Sequence, residues 1–131
     1  MSRKKVLSLG QCGADHSSIR WLLASHFDAE VSAAATSEEA LALLRQDDFA
    51  LVLVNRVFDY DGGSGLDFID RLKHDEQFRG LPVMLVSNYE DAQQQAVVRG
   101  ALPGFGKSAL RQAETLERLA AALGAARSER R

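Results

Sequence analysis

Several strand-like runs in this sequence stop on residues that could bind or transform a small polar group. "FALVLVN" ends on Asn55, "LPVMLVS" on Ser87 and "PGFGK" on Lys107, while "KKVLSLG" ends on Gly10 with Gln11 behind it. A hydroxyl and an ammonium brought together would donate hydrogen bonds to an oxyanion, with the ammonium adding charge. Asn55 is an amide, without charge and with little nucleophilicity, yet its carbonyl oxygen could accept a hydrogen bond from Lys107.

Three other constellations are weaker. "GFGKS" resembles a phosphate-binding loop, but the glycine required five positions before Gly106 is Ala101. "DYDGGSG" spaces Asp59 and Asp61 like the first calcium ligands of a helix–loop–helix site, but loop position six is Ser64 and position twelve is Asp70. A flexible turn with solvated carboxylates describes it better. Cys12 and His16 lie four apart with Asp15 between them, and His26 and His74 map far away, so a structural role is expected. Trp21 and Phe27 fit core or rim packing.

To matter, the strand-end residues must be held at one edge. Apolar runs alternate with amphipathic segments from end to end. "DHSSIRWLLASHF" carries Ile19, Leu22, Leu23 and Phe27 at helical spacing, and "AEVSAAA" reads as a weak second strand. "TSEEALALLRQDD" opens with Thr36 three residues before Glu39, a capping-box pattern. "GLDFIDRLKHD" puts Leu66, Ile69 and Leu72 on one helical face, and "EDAQQQAVVRG" reads as a helix closed by Gly100. The last helix is expected over "SALRQAETLERLAAALGAA", with Leu110, Leu116, Leu119, Ala120 and Leu123 inward. Five strand–helix units predict an α/β fold: a flavodoxin-like, doubly wound, five-stranded parallel sheet of order 2-1-3-4-5 with helices on both faces. Its site lies at the carboxyl ends of the strands, where Gly10, Gln11, Asn55, Ser87 and Lys107 all fall.

Composition narrows the function. The 131 residues suit one domain, expected over 1–126, with 127–131 as a solvated tail. A net charge of −2 gives no global basic field for nucleic acid. One cysteine excludes an internal disulfide and suits a reducing compartment. The apolar run near the start is too short for a signal peptide or membrane span, so a cytoplasmic location is expected, without membrane partners.

At this point the chain, from about Lys4 to Ala125, resembles the CheY-like receiver domain of two-component response regulators. "LPVMLVS", "RGALPGFGK", "LVLVN" and "SGLDFIDRLK" carry the resemblance, in order and at nearly the family's separations. The resemblance implies a phosphorelay module. Its phosphoacceptor aspartate position is Asn55, its acidic-pair positions are Gly10 and Gln11, and its retained phosphate-pocket residues are Ser87 and Lys107. In such a site a magnesium ion sits among three carboxylates, and one carboxylate attacks a phosphoryl donor. Here the side-chain charge rises from about −2 in the family pattern to about +1, counting Lys107 alone. Ser108 follows the lysine where the family usually has proline, and Gly104 replaces the switch aromatic. The loop after Asn55 is about two residues longer than usual, and the segment from Ser87 to Gly100 about two shorter.

The expectation is therefore a pseudo-receiver: not an enzyme, without cofactor or metal, a monomer or weak homodimer. It would act by phosphorylation-independent contact with a protein such as a sensor kinase or an output domain. Its partner face is expected around Tyr89, Leu102, Pro103 and Phe105. The alternatives are an anion or small-molecule sensor using the Lys107 pocket, and a phosphoryl-transfer enzyme.

Overall fold

The computed structural model describes residues 4–124, so the expected tail at 127–131 lies outside the described residues. Within them the strands are β1 (Lys5–Leu9), β2 (Glu30–Ala34), β3 (Leu51–Asn55), β4 (Val83–Val86) and β5 (Leu102–Phe105). They form one parallel sheet in the order β2-β1-β3-β4-β5, as the alternation of segments predicts. The register sets Leu9 beside Val54, Asn55 beside Val86 and Val86 beside Phe105. Gly10, Asn55 and Ser87 thus stand at one edge, and the chain reaches Lys107 two residues beyond β5.

The central strands are apolar along their whole length because both faces are covered. Leu7, Leu9, Val52, Val54, Val83 and Leu85 join the core layer beneath helices α2 (Ser37–Gln46), α3 (Gly65–Lys73) and α4 (Glu90–Val98). The alternate residues Val6, Leu51, Leu53, Met84 and Val86 pack on the opposite side against α1 (Gly13–Phe27) and α5 (Ala113–Leu123). Each fully buried Leu, Val or Ile contributes about 1.5–3 kcal/mol of transfer free energy. The Thr36 cap forms, its Oγ1 accepting from the Glu39 amide at 3.1 Å, while Glu39 Oε1 reaches one residue past the N-cap and accepts from the Ala35 amide at 2.7 Å.

One expectation changes. The final helix does not begin at Ser108. A short 3-10 turn, Lys107–Ala109, comes first, and α5 starts at Ala113. Asn88 Oδ1 accepts from both the amide and the hydroxyl of Ser108, each at 3.1 Å, while the Thr115 hydroxyl donates to the Ala109 carbonyl at 2.7 Å. These side-chain bonds offer the backbone an alternative to an early helix. Of the two aromatics read as core or rim, Phe27 is buried and Trp21 is 55% exposed, with the Arg111 guanidinium 5.5 Å from its ring centroid.

Candidate functional site

Asn55 is buried at the tip of β3, and its Nδ2 donates to the Gly10 carbonyl at 2.9 Å and the Val57 carbonyl at 2.7 Å. Both amide protons are thereby used. The expected hydrogen bond from Lys107 to Asn55 is absent. Lys107 Nζ instead lies 2.9 Å from Asp15 Oδ2, one turn into α1, with both side chains about one-third exposed. Asp15 offsets the Lys107 charge, and Arg56, which lines the neighbouring cavity, remains as the cation without a counterion there among the described residues.

The loop after β3 explains Gly10. Val57 and Ser64 form an antiparallel bridge, the Phe58 amide donates to the Gly63 carbonyl at 2.8 Å, and the Asp59 amide donates to the Gly10 carbonyl at 3.0 Å. This tight turn drives Phe58 into the core. Gly10 has φ +80°, and a Cβ on it would sit 2.4 Å from Phe58 Cδ1. An aromatic ring thus fills the space where the resemblance places an acidic side chain. Asp59 and Asp61 stay on the exposed turn, with Asp61 Oδ1 accepting from the Gly63 amide at 2.9 Å.

A divalent cation does not fit this donor set. The Gly10 and Val57 carbonyls are engaged by an amide N–H₂ group, Gln11 offers a neutral amide, and Phe58 blocks position 10. Both polar atoms of the Gln11 amide are buried without a hydrogen-bond partner among the described residues. Cys12 caps α1, its Sγ accepting from the Asp15 amide at 3.5 Å. Burial, and secondarily the Arg20 charge, hold the His16 imidazole below the ordinary histidine range, and its buried Nδ1 has no hydrogen-bond partner among the described residues. "GFGKS" runs along the end of β5 into the 3-10 turn rather than from a first strand into a long helix.

Asn55, Arg56, Ser87, Asn88, Tyr89 and Lys107 line a cavity of about 410 Å³. Ser87 is buried and its Oγ accepts from the Tyr89 amide at 3.1 Å. Behind it, Gln93 of α4 ties β4 to β5. Its Nε2 lies within hydrogen-bond distance of the carbonyls of Leu85 (2.9 Å), Ser87 (3.1 Å) and Phe105 (3.3 Å), and its Oε1 accepts from the Gly104 amide at 3.2 Å. A Cβ at Gly104 would meet the Leu85 carbonyl oxygen at 2.1 Å, so no aromatic ring can stand there without moving β4.

On the expected partner face, Tyr89 (62%) and Leu102 (38%) are exposed, as is Pro103, but Phe105 is 3% exposed and belongs to the core. β5 does not alternate: Leu102 and Pro103 are exposed and Gly104 and Phe105 buried. Its pairing with β4 shifts register between Met84 and Val86, and Phe105 joins the core layer of Leu116 and Leu119 of α5. Val98, at the end of α4, is 85% exposed beside this face. Asp15, Arg56, Phe58 and Gln93 escape a sequence reading as site residues. Only a charge in the first helical turn or next to a strand end hints at the first two.

No family model matches the chain, and no curated protein matches it. Solved structures do. A response-regulator candidate from Chloroflexus aurantiacus J-10-fl superposes with a TM-score of 0.83 at 18% identity, covering 94% of this chain and 99% of that one. A response regulator from Thermotoga maritima gives 0.75 at 24%, covering 95% and 100%. NtrX from Brucella abortus gives 0.74 at 19%, covering 94% of this chain but 27% of that one. At such identities the likeness carries the fold: the chain has the five-stranded parallel architecture of response-regulator receivers.

Proposed function

We propose that this chain is a pseudo-receiver, a signalling module that works through protein–protein contact without becoming phosphorylated. The carrying observation is Asn55, whose Nδ2 is fixed by the Gly10 and Val57 carbonyls beneath a Phe58 ring packed on Gly10. A phosphoacceptor needs a carboxylate there, and its cation needs anionic oxygens around it. The neutral amide supplies neither.

The partner would dock on α4, β5 and the start of α5. Tyr89, Leu102 and Pro103 present apolar surface there, and Val97 and Val98 extend it along a groove of about 660 Å³ that also contains Glu114 and Arg118. An apolar centre with a charged rim is the usual anatomy of a protein interface. The Gln93 clamp holds the strands behind this face in one arrangement, which suits a fixed docking surface better than a switch. Incubation with acetyl phosphate and magnesium, followed by intact-mass measurement, tests the reading. The expected spectrum is unchanged, and the added mass of a phosphoryl group retained on the chain would overturn it.

A further inference from the structure

We propose that the cavity beside Asn55 binds a small organic molecule through a terminal phosphate or carboxylate, with Arg56 rather than Lys107 as the principal cation. Arg56 is exposed and, among the described residues, its side chain makes no hydrogen bond or ion pair. Its guanidinium lies 4.8 Å from the centroid of the Tyr89 ring. Stacking on the ring face leaves the planar edge of the guanidinium, with its N–H donors, free for an oxyanion.

The remaining lining fits the same ligand. The buried Ser87 hydroxyl receives the Tyr89 amide and Asn88 uses its Oδ1 on Ser108, while among the described residues neither the Ser87 hydroxyl nor the Asn88 Nδ2 donates to an acceptor. No carboxylate lines the cavity. Asp15 approaches only through Lys107, and that ion pair lowers the lysine's pull on an incoming anion. Asp91 lies across the Arg56–Tyr89 wall, in a neighbouring hollow of about 320 Å³. A volume of about 410 Å³ exceeds what one oxyanion fills and falls within the range of small-ligand pockets. The half-exposed Val57 and Tyr89 at its mouth would cover the organic part.

This inference rests on the neutral Asn55 of the preceding reading, because a carboxylate there would repel the anion. The test is a titration of the full chain with phenyl phosphate and, separately, inorganic phosphate at constant ionic strength. Amide chemical shifts would be followed, with intact mass measured in parallel to separate binding from covalent transfer. Phenyl phosphate is expected to saturate shifts at Asn55, Ser87 and Asn88. Arg56→Gln is expected to weaken it about tenfold, the loss of one charge-assisted pair, and Lys107→Gln at most about threefold. Arg56 is exposed, so the variant should fold. Tyr89→Ala gives a second readout, with binding weakened as the guanidinium loses its shelf. Linear, unsaturable shifts would overturn the proposal, as would binding that survives Arg56→Gln or falls more with Lys107→Gln. Inorganic phosphate binding as tightly as phenyl phosphate would remove the organic ligand from it.

Discussion

Lys107 and Asp15 meet at 2.9 Å across the edge of the sheet, joining the end of β5 to the first turn of α1. Asp15 also lies where an α-helix favours negative charge. Both groups are about one-third exposed, so water screens the pair and its stability contribution is small. Asp15→Asn is expected to cost about 0.5–1 kcal/mol in urea denaturation, counting the lost helix-terminus interaction. The same variant frees Lys107 and should tighten inorganic phosphate binding. Unchanged binding would mean that the pair does not govern the site's charge.

Asn55→Asp asks whether the amide is filler or fastener. The new carboxylate would face the Gly10 and Val57 carbonyl oxygens at the distances where Nδ2 now donates. A cost of about 2–3 kcal/mol is expected, from two lost bonds and oxygen–oxygen repulsion in a buried site. The unfavourable site raises the folded-state pKa of the new carboxyl above the ordinary aspartate value. The folded variant then holds its proton while the unfolded chain loses it, so the deficit relative to wild type grows as pH rises from about 4 toward neutrality. Denaturation at acid and neutral pH measures this, and a deficit independent of pH would refute it. The substitution should not restore phosphorylation, because Phe58 and Gln11 still deny a cation its ligands.

His16 supplies an acid-side prediction. Burial, with Arg20 adding to it, lowers its folded-state pKa below the ordinary value of 6.5. The unfolded chain therefore takes up a proton first as pH falls through 6.5, and stability declines from there downward. Melting temperatures between pH 7.5 and 5 should fall for the wild type and less steeply for His16→Gln, whose side chain does not titrate. Parallel curves would show that His16 is not the group responsible.

The Gln93 clamp should act locally. Gln93→Ala removes the donor shared by the Leu85, Ser87 and Phe105 carbonyls and the acceptor for the Gly104 amide. About 1–3 kcal/mol is expected from groups left unpaired. Hydrogen exchange should rise at β4 and β5 and stay unchanged in β1 and β2. A uniform rise would mean that the clamp supports the whole domain.

The sheet was legible because each core strand is an apolar run and most of the helices show a matching stripe, so chain order and parallel pairing follow from covering both faces. The strand-end positions Gly10, Asn55, Ser87 and Lys107 followed from the same pattern. The partners of those positions were not legible. Lys107 and Asp15 are far apart in sequence, and nothing local in "GADHSS" marks Asp15 as the counterion. Phe58 reads as a loop residue until the Val57–Ser64 bridge folds its ring onto Gly10. Phe105 reads as part of an apolar partner face with Leu102 and Pro103, whereas β5, irregular in its pairing with β4, exposes its first two residues and buries its last two.

Gly10 and Phe58 form a coupled pair that a double-mutant cycle can resolve. Gly10→Asp alone must place a side chain at φ +80° and drive its Cβ into the Phe58 ring, so about 2–5 kcal/mol of destabilisation is expected. Phe58→Ala alone empties a core site and should cost about 3–5 kcal/mol. Combining them removes the collision, leaving only the backbone strain and the partly refilled void. The double variant should therefore lose less stability than the two single variants summed, by about 1–2 kcal/mol. Additivity within error would show that the ring does not exclude a side chain at position 10, and the explanation for the missing acidic residue would then have to come from elsewhere. Magnesium should raise the melting temperature of neither Gly10→Asp nor the double variant, since Asn55 still directs its N–H₂ group at the two carbonyl oxygens nearest the site.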